Sequence, residues 1–199
     1  MIDCKKLNFL HCIWTKEWHG EIRMNETEFP WVAIQRNHRF NFLLWHEEDI
    51  ARREDIPAER IREAKRNIDQ FNQKRNNSME EIDDWILGEL GASQSADQRV
   101  NLHSETPGMM VDRLSIMALK EFHMEEQTRR TDVSPDHLSS CLAKVRILAE
   151  QQADLTCCLA ELLDEILSGK KRFKLYRQLK MYNDPNLNPQ IYGQKSEEI

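Results

Sequence analysis

The chain has 199 residues, 40% of them hydrophobic and 31% charged, with a net charge of −6 at pH 7. That length and balance fit one globular domain with a tail, and the acidic excess argues against sequence-blind nucleic-acid binding through the whole surface. No apolar run approaches the roughly 18 residues of a membrane span, the N-terminus lacks a signal-peptide pattern, and five cysteines without a CxxC pair predict reduced thiols in a cytoplasmic protein, not a disulfide or zinc framework.

Only six Gly and six Pro, with abundant Glu, Lys, Arg, Gln and Leu, favour helix, and no segment alternates at the two-residue period of a strand. The expected fold class is all-α: a single-domain helical bundle of about five main helices over residues 1–189, with no sheet, then a flexible tail at 190–199. The first helix spans Cys4 to Trp18, capped by Asp3, with Leu7, Leu10, His11, Trp14 and Trp18 on one side. Pro30 opens the second, which runs to about Glu54; Pro57 marks the break, and a third helix extends from Glu59 to Leu87, ending near Gly88. Gly91 to Glu105 is a loop by composition. Thr106-Pro107 starts a fourth helix reaching about Arg130, and Ser134-Pro135 starts a fifth. In the fifth, Leu138, Leu142, Val145, Leu148, Gln152, Leu155, Leu159, Leu162 and Ile166 alternate in steps of three and four until Gly169 stops it. Lys170 to Lys180 reads as a short basic helix, and Met181 to Pro189 as a turn-rich segment.

Polar groups interrupt two of these helices where apolar ones are expected. At about 100° per residue, Ile34, His38, Phe42, Trp45, Asp49 and Arg52 share one narrow arc with Asn41 beside it, while Phe40, Leu43, Leu44 and Ala51 lie opposite. In the third helix Ile61, Ile68, Met79, Ile82 and Ile86 form a stripe whose middle holds Lys65, Asn72 and Arg75, flanked by Asp69, Asn76 and Asp83. Such groups cost several kcal/mol when desolvated without partners, so they must be paired, solvated or bound to a ligand. Apolar ends around a polar centre on two neighbouring helices suit a polar site inside a bundle. The plainer reading is a buried network that fixes helix register.

Two further segments are candidates. The free amides at the start of the fourth helix, with Gly108 permitting close approach and Arg113 one to two turns in, suit an anion, although an ordinary cap explains them as well. The basic run after Gly169 suits phosphate, RNA or an acidic membrane surface, or a solvated face at a helix C-terminus. Familiar catalytic signatures are absent. His46-Glu47 lacks the second His of a zincin, no Glu-x-x-His pair supports a di-iron bundle, and there is no GxSxG, phosphate loop or dinucleotide fingerprint. The carboxylates of Glu80, Glu81, Asp83 and Asp84 scatter around their helix and read as a charged outer face, so no metal site is assigned.

In these residues the chain resembles a bacterial family, domain of unknown function 4254. The resemblance lies in His38-x-x-Asn41-Phe42-x-Leu44-Trp45-His46-x-Glu48-Asp49-x-Ala51-Arg52 and in Lys65-Arg66-x-Ile68-Asp69-x-x-Asn72-Gln73-x-Arg75-Asn76. It continues in Glu105-Thr106-Pro107-Gly108 through Asp112-Arg113-Leu114-Ser115 and in Lys180-Met181-Tyr182-Asn183-Asp184-Pro185, so it covers most of residues 30–189. Asn77 departs from it, standing where the family's run has Asp. The resemblance implies that the polar rows belong together; it brings no activity or cofactor with it, and it links the chain to cell-envelope glycan gene neighbourhoods.

The expected site binds or acts on an anionic small molecule bearing phosphate or carboxylate. Arg52, Lys65, Arg75 and Arg113 would hold the anion, and Asn41, Asn72 and Asn76 would orient it. His38 and Asp49 would form an acid–base pair; they lie three turns apart, roughly 16 Å, so Trp45, Asn41 or third-helix residues would have to bridge them. Asp69 and Asp112 complete the polar set, and Lys180, Tyr182, Asn183 and Asp184 would fold over its mouth as a lid. The alternative is a non-catalytic interaction or scaffold protein, with a protein partner or a second copy on its exposed face, linked to envelope glycan biosynthesis.

Overall fold

Prolines and capping side chains set most helix starts. In the computed structural model, which describes residues 1–91, 99–179, 184 and 186–189, Asp3 accepts the amides of Lys5 and Lys6 at the head of α1 (Cys4–Trp18). Pro30 precedes α2 (Trp31–Ala51) and Pro57 precedes α3 (Ala58–Leu90). Thr106 and Ser134 accept amides at the starts of α4 (Pro107–Thr128) and α5 (Pro135–Leu167), each of which has proline in its first turn. α3 runs through Gly88, its expected end, to Leu90, which is buried; Gly91, at φ 50°, is the residue that stops it. Burial of Leu90 outweighs the roughly 1 kcal/mol that a mid-helix glycine costs.

α2 is the central helix. α3 packs along it more extensively than any other pair of helices, and α1 and α4 cover its remaining sides. Ala33, Ile34, Phe40, Phe42 and Leu44 are all buried, which explains apolar residues on opposite arcs. The core joins Leu7 and Trp14 of α1, Ile34 and Phe42 of α2, Ile82 and Ile86 of α3, Leu114 of α4 and Leu162 of α5. The long stripe of α5 is only partly used. Apart from Cys141, its buried residues begin at Leu159, while Leu142 remains 50% exposed.

The basic run after Gly169 is extended instead of helical. Lys171–Arg172 (β2) pairs in parallel with Asn101–Leu102 (β1), the one strand pairing among the described residues, and the fold class remains all-α. Phe173 is buried in the core and Arg177 bridges Glu80 and Asp84 of α3. Burying an aromatic ring outweighs the modest helical preference of Lys, Arg and Leu. Among the described residues no helix is long and apolar enough to cross a membrane. Residues 190–199, expected as a tail, lie outside the described residues.

The head of α4 is closed from within. Asp83 of α3 accepts the Gly108 amide at 2.7 Å, and Thr106 hydrogen-bonds to the same carboxylate. A Cβ on Gly108 would stand 2.4 Å from the Met79 carbonyl oxygen. The anion suited to this helix start is therefore the protein's own carboxylate. Gly108→Ala should destabilise the fold by about 2–3 kcal/mol in urea titration, because the neighbour is rigid backbone.

Burial pushes the Asp83 carboxyl up to about 6, against the lowering effect of its two donors. This folded value lies above the unfolded value of about 3.9. The native state therefore holds the proton between about pH 4 and 6, and stability falls as pH rises through that window. Asp83→Asn should remove this fall, so the difference between variant and wild-type stability should shift by about 2–3 kcal/mol from pH 4 to 7. Parallel urea profiles would contradict it.

His11 has the opposite sign. Its ring is fully buried, stacked on His38 at 4.8 Å, with no hydrogen-bond partner at either nitrogen among the described residues, and burial holds its pKa down at about 3. The unfolded chain takes the proton near pH 6.5, so the neutral ring costs stability as pH drops below that value. His11→Leu should be neutral or stabilising at pH 7, and at pH 5 should spare about 2 kcal/mol of the acid loss. Thermal melts across pH 5–8 test this.

Candidate functional site

Four helices contribute to one buried polar network. Asp112 of α4 accepts the side-chain amides of Asn37 and Asn41, one turn apart on α2, at 2.9 Å each. Arg75 of α3 brings its Nε to 3.6 Å from the same oxygen. Asn41 also donates to the Ser115 hydroxyl at 2.9 Å, and Ser115 lies 2.8 Å from His38 Nδ1. His38 Nε2 meets the Thr15 hydroxyl of α1 at 3.0 Å, while that hydroxyl donates to the His11 carbonyl. With the Thr15 proton committed, the network assigns the hydrogen to His38 Nε2 and leaves Nδ1 to accept from Ser115. His38 is fully buried, and desolvation followed by the neighbouring His11 holds its pKa well below the ordinary value. It is a neutral link, not a poised base.

Above this network lies a cavity of about 390 Å³ between α2, α3 and α4. Asn41, Trp45, Asp49 and Arg52 of α2 line one side and Asn72 and Arg75 of α3 the other, with Leu44, Glu48, Ile116 and Leu119 completing it. The two polar rows thus meet across one space of a size suited to a small molecule. Its charges are unevenly committed. Arg52 is paired with the half-exposed Glu48, whereas Arg75 faces the buried Asp112 at 3.6 Å and its Nε has no hydrogen-bond partner among the described residues. A larger groove of about 780 Å³ runs between α4 and α5, where Arg113 is paired with Glu105 and Lys171 with Glu165.

Of the expected site residues, Asn41, Trp45, Asp49, Arg52, Asn72 and Arg75 line the cavity, and Asp112 lies in the network beside it. The others fall elsewhere. His38 and Asp49 do not form an acid–base pair: His38 is committed to Ser115 and Thr15 in the core, and Asp49 is exposed at the cavity wall. Lys65 is exposed and pairs with Asp69 along α3, away from the cavity lining. Asn76 is buried without lining the cavity. Arg113 sits in the α4–α5 groove. Asp184 accepts the Asn186 amide in a local turn, while Lys180, Tyr182 and Asn183, on which the lid depends, lie outside the described residues. Sequence reasoning had not selected Asn37, Ser115 or Thr15 as site residues. The signal for the first two was spacing, Asn37 one turn before Asn41 and Ser115 three residues after Asp112, but Thr15 carried none.

A comparison with known protein families matches residues 31–175 to the family described as Protein of unknown function (DUF4254). No curated protein and no solved structure matches the chain. The matched span begins at the first residue of α2 and contains every residue that lines the cavity. The chain belongs to the DUF4254 family.

Proposed function

We propose that this protein binds an anionic small molecule, bearing phosphate or carboxylate, in the cavity between α2, α3 and α4. The observation that carries the reading is Arg75. Its guanidinium borders the cavity, keeps its Nε buried at 3.6 Å from Asp112, and donates no side-chain hydrogen bond among the described residues, which leaves its terminal N–H groups to meet a ligand. Asp112, its nearest counter-ion, already accepts two asparagine amides. A ligand oxygen would complete the donor set, and Arg52 on the opposite wall would add a second guanidinium. Trp45 offers a flat apolar wall and Asn72 an amide for the rest of the ligand. Asp49 is the carboxylate of the cavity best placed to accept from hydroxyl groups, since Glu48 pairs with Arg52. We assign the chain to the bacterial cytoplasm, a reading supported by five free thiols.

A second reading rests on α5. Leu142 and Ile147 are half exposed on a long helix whose first two thirds contribute little to the core, which favours a role in binding a partner protein, as in a scaffold for envelope glycan enzymes.

A thermal-shift panel of inorganic phosphate, sugar phosphates, nucleotides and dicarboxylates tests the first reading. A compound at 100 times its Kd should stabilise the fold by about 2.7 kcal/mol. Arg75→Gln should weaken its binding by about 10- to 100-fold, and the exposed Arg52→Gln by less. An unchanged shift in both variants, or no shift with any anion, would count for the second reading.

A further inference from the structure

Beside Trp45, three histidines converge from the end of α1, from α2 and from α4. His19 follows α1, His46 lies on α2 and His123 on α4, and one potential ligand atom from each falls within 4.8 Å of the other two. Their ring centroids are 5.1, 5.3 and 5.7 Å apart, with planes inclined at 66–81°. A zinc ion bound at about 2.0–2.1 Å by three imidazoles at tetrahedral angles would hold the ring centroids about 5.2 Å apart. The ring centroids stand near that spacing, and small rotations of the rings would bring the ligand atoms, within 4.8 Å of one another, to the about 3.3 Å that such an ion imposes. Their planes are inclined and not stacked, so that one nitrogen of each ring can turn toward a common point.

The outer hydrogen bonds fit the same picture. His19 Nδ1 meets the Thr15 carbonyl at 2.7 Å, and His123 Nδ1 meets the Glu126 carboxylate at 2.9 Å. Each acceptor fixes the proton on Nδ1 and leaves Nε2 with its lone pair, the arrangement by which second-shell groups orient metal-binding histidines. His123 Nε2 is buried and has no hydrogen-bond partner among the described residues. Aromatic walls hold the rings in place: Trp45 stacks on His123 at 4.6 Å, Phe122 on His19 at 4.3 Å, and Phe42 edges against His46 at 4.5 Å.

We propose that His19, His46 and His123 together bind one zinc ion. Three neutral nitrogens without a carboxylate ligand suit zinc and disfavour magnesium and calcium, which select oxygen. A three-histidine set leaves the fourth tetrahedral position to water or a ligand, and His19 is exposed enough to give access from solvent. His123 also lines a cavity of about 510 Å³ with Trp45, Asp49 and Lys120, into which such a ligand would extend. The site shares no histidine with the anion cavity and does not depend on it.

The test uses the full chain, stripped with chelator and titrated with zinc by calorimetry, with cobalt absorption reporting geometry. One equivalent should bind, and cobalt should give the intense visible bands of a tetrahedral site. His19→Gln, at an exposed position that leaves the core intact, should lower zinc affinity by roughly 100-fold or more, and Glu126→Gln by roughly 10- to 100-fold. Replacing the exposed Cys12, Cys157 and Cys158 with serine should change nothing, and Arg75→Gln should bind zinc like the wild type. Absence of stoichiometric binding, affinity unaltered by His19→Gln, or loss only in the cysteine variant would overturn the proposal.

Discussion

The carboxylate of Asp112 lies almost out of reach of water, and the arrangement of four helices depends on how it is satisfied. Two asparagine amides one turn apart on α2 and a guanidinium from α3 converge on it, so neither helix can slide along α4 without leaving a buried charge unpaired. Ser115, His38 and Thr15 carry the connection on to α1. Apolar packing supplies the driving force, but it tolerates shifts in register that directional bonds do not. The same bonds bring Asn41 and Arg75 to the edge of the cavity, so what aligns the helices also shapes the site.

Much of the fold was legible because helix punctuation is local. Asp3, Thr106 and Ser134 cap as their side-chain chemistry dictates, and Pro107 and Pro135 stand in first turns. The polar row on α2 and its counterpart on α3 could be read from helical angle alone, and six of the residues so chosen line one cavity. What escaped was long-range. The three histidines share no spacing, because they come from the end of α1, from α2 and from α4. Lys65 and Arg75 look alike in sequence, yet one is exposed and the other sits beside a buried acid, a difference set by where α2 and α4 cross α3. The basic run misled because its helix-forming residues surround Phe173, whose burial was decided by a pocket made elsewhere in the chain.

Trp45 stands at the centre of the functional reading. It lines the anion cavity and also stacks on His123, so one indole forms part of the boundary of two neighbouring spaces. Asp49 likewise borders both the anion cavity and the space containing His123. A rigid aromatic partition of this kind fixes the width of each space and keeps the imidazole from rotating freely.

The pairing of Asn101–Leu102 with Lys171–Arg172 has a consequence for the order of folding. It joins segments about 70 residues apart, and nearly everything between them is the α4–α5 hairpin. A two-residue ladder provides too few bonds to offset the entropy of closing so long a loop. The clasp can therefore close only after α4 and α5 have packed and brought its two sides together. On partial unfolding the order reverses: the ladder opens first, releasing Phe173 from the core and Arg177 from α3 while the helical bundle still stands.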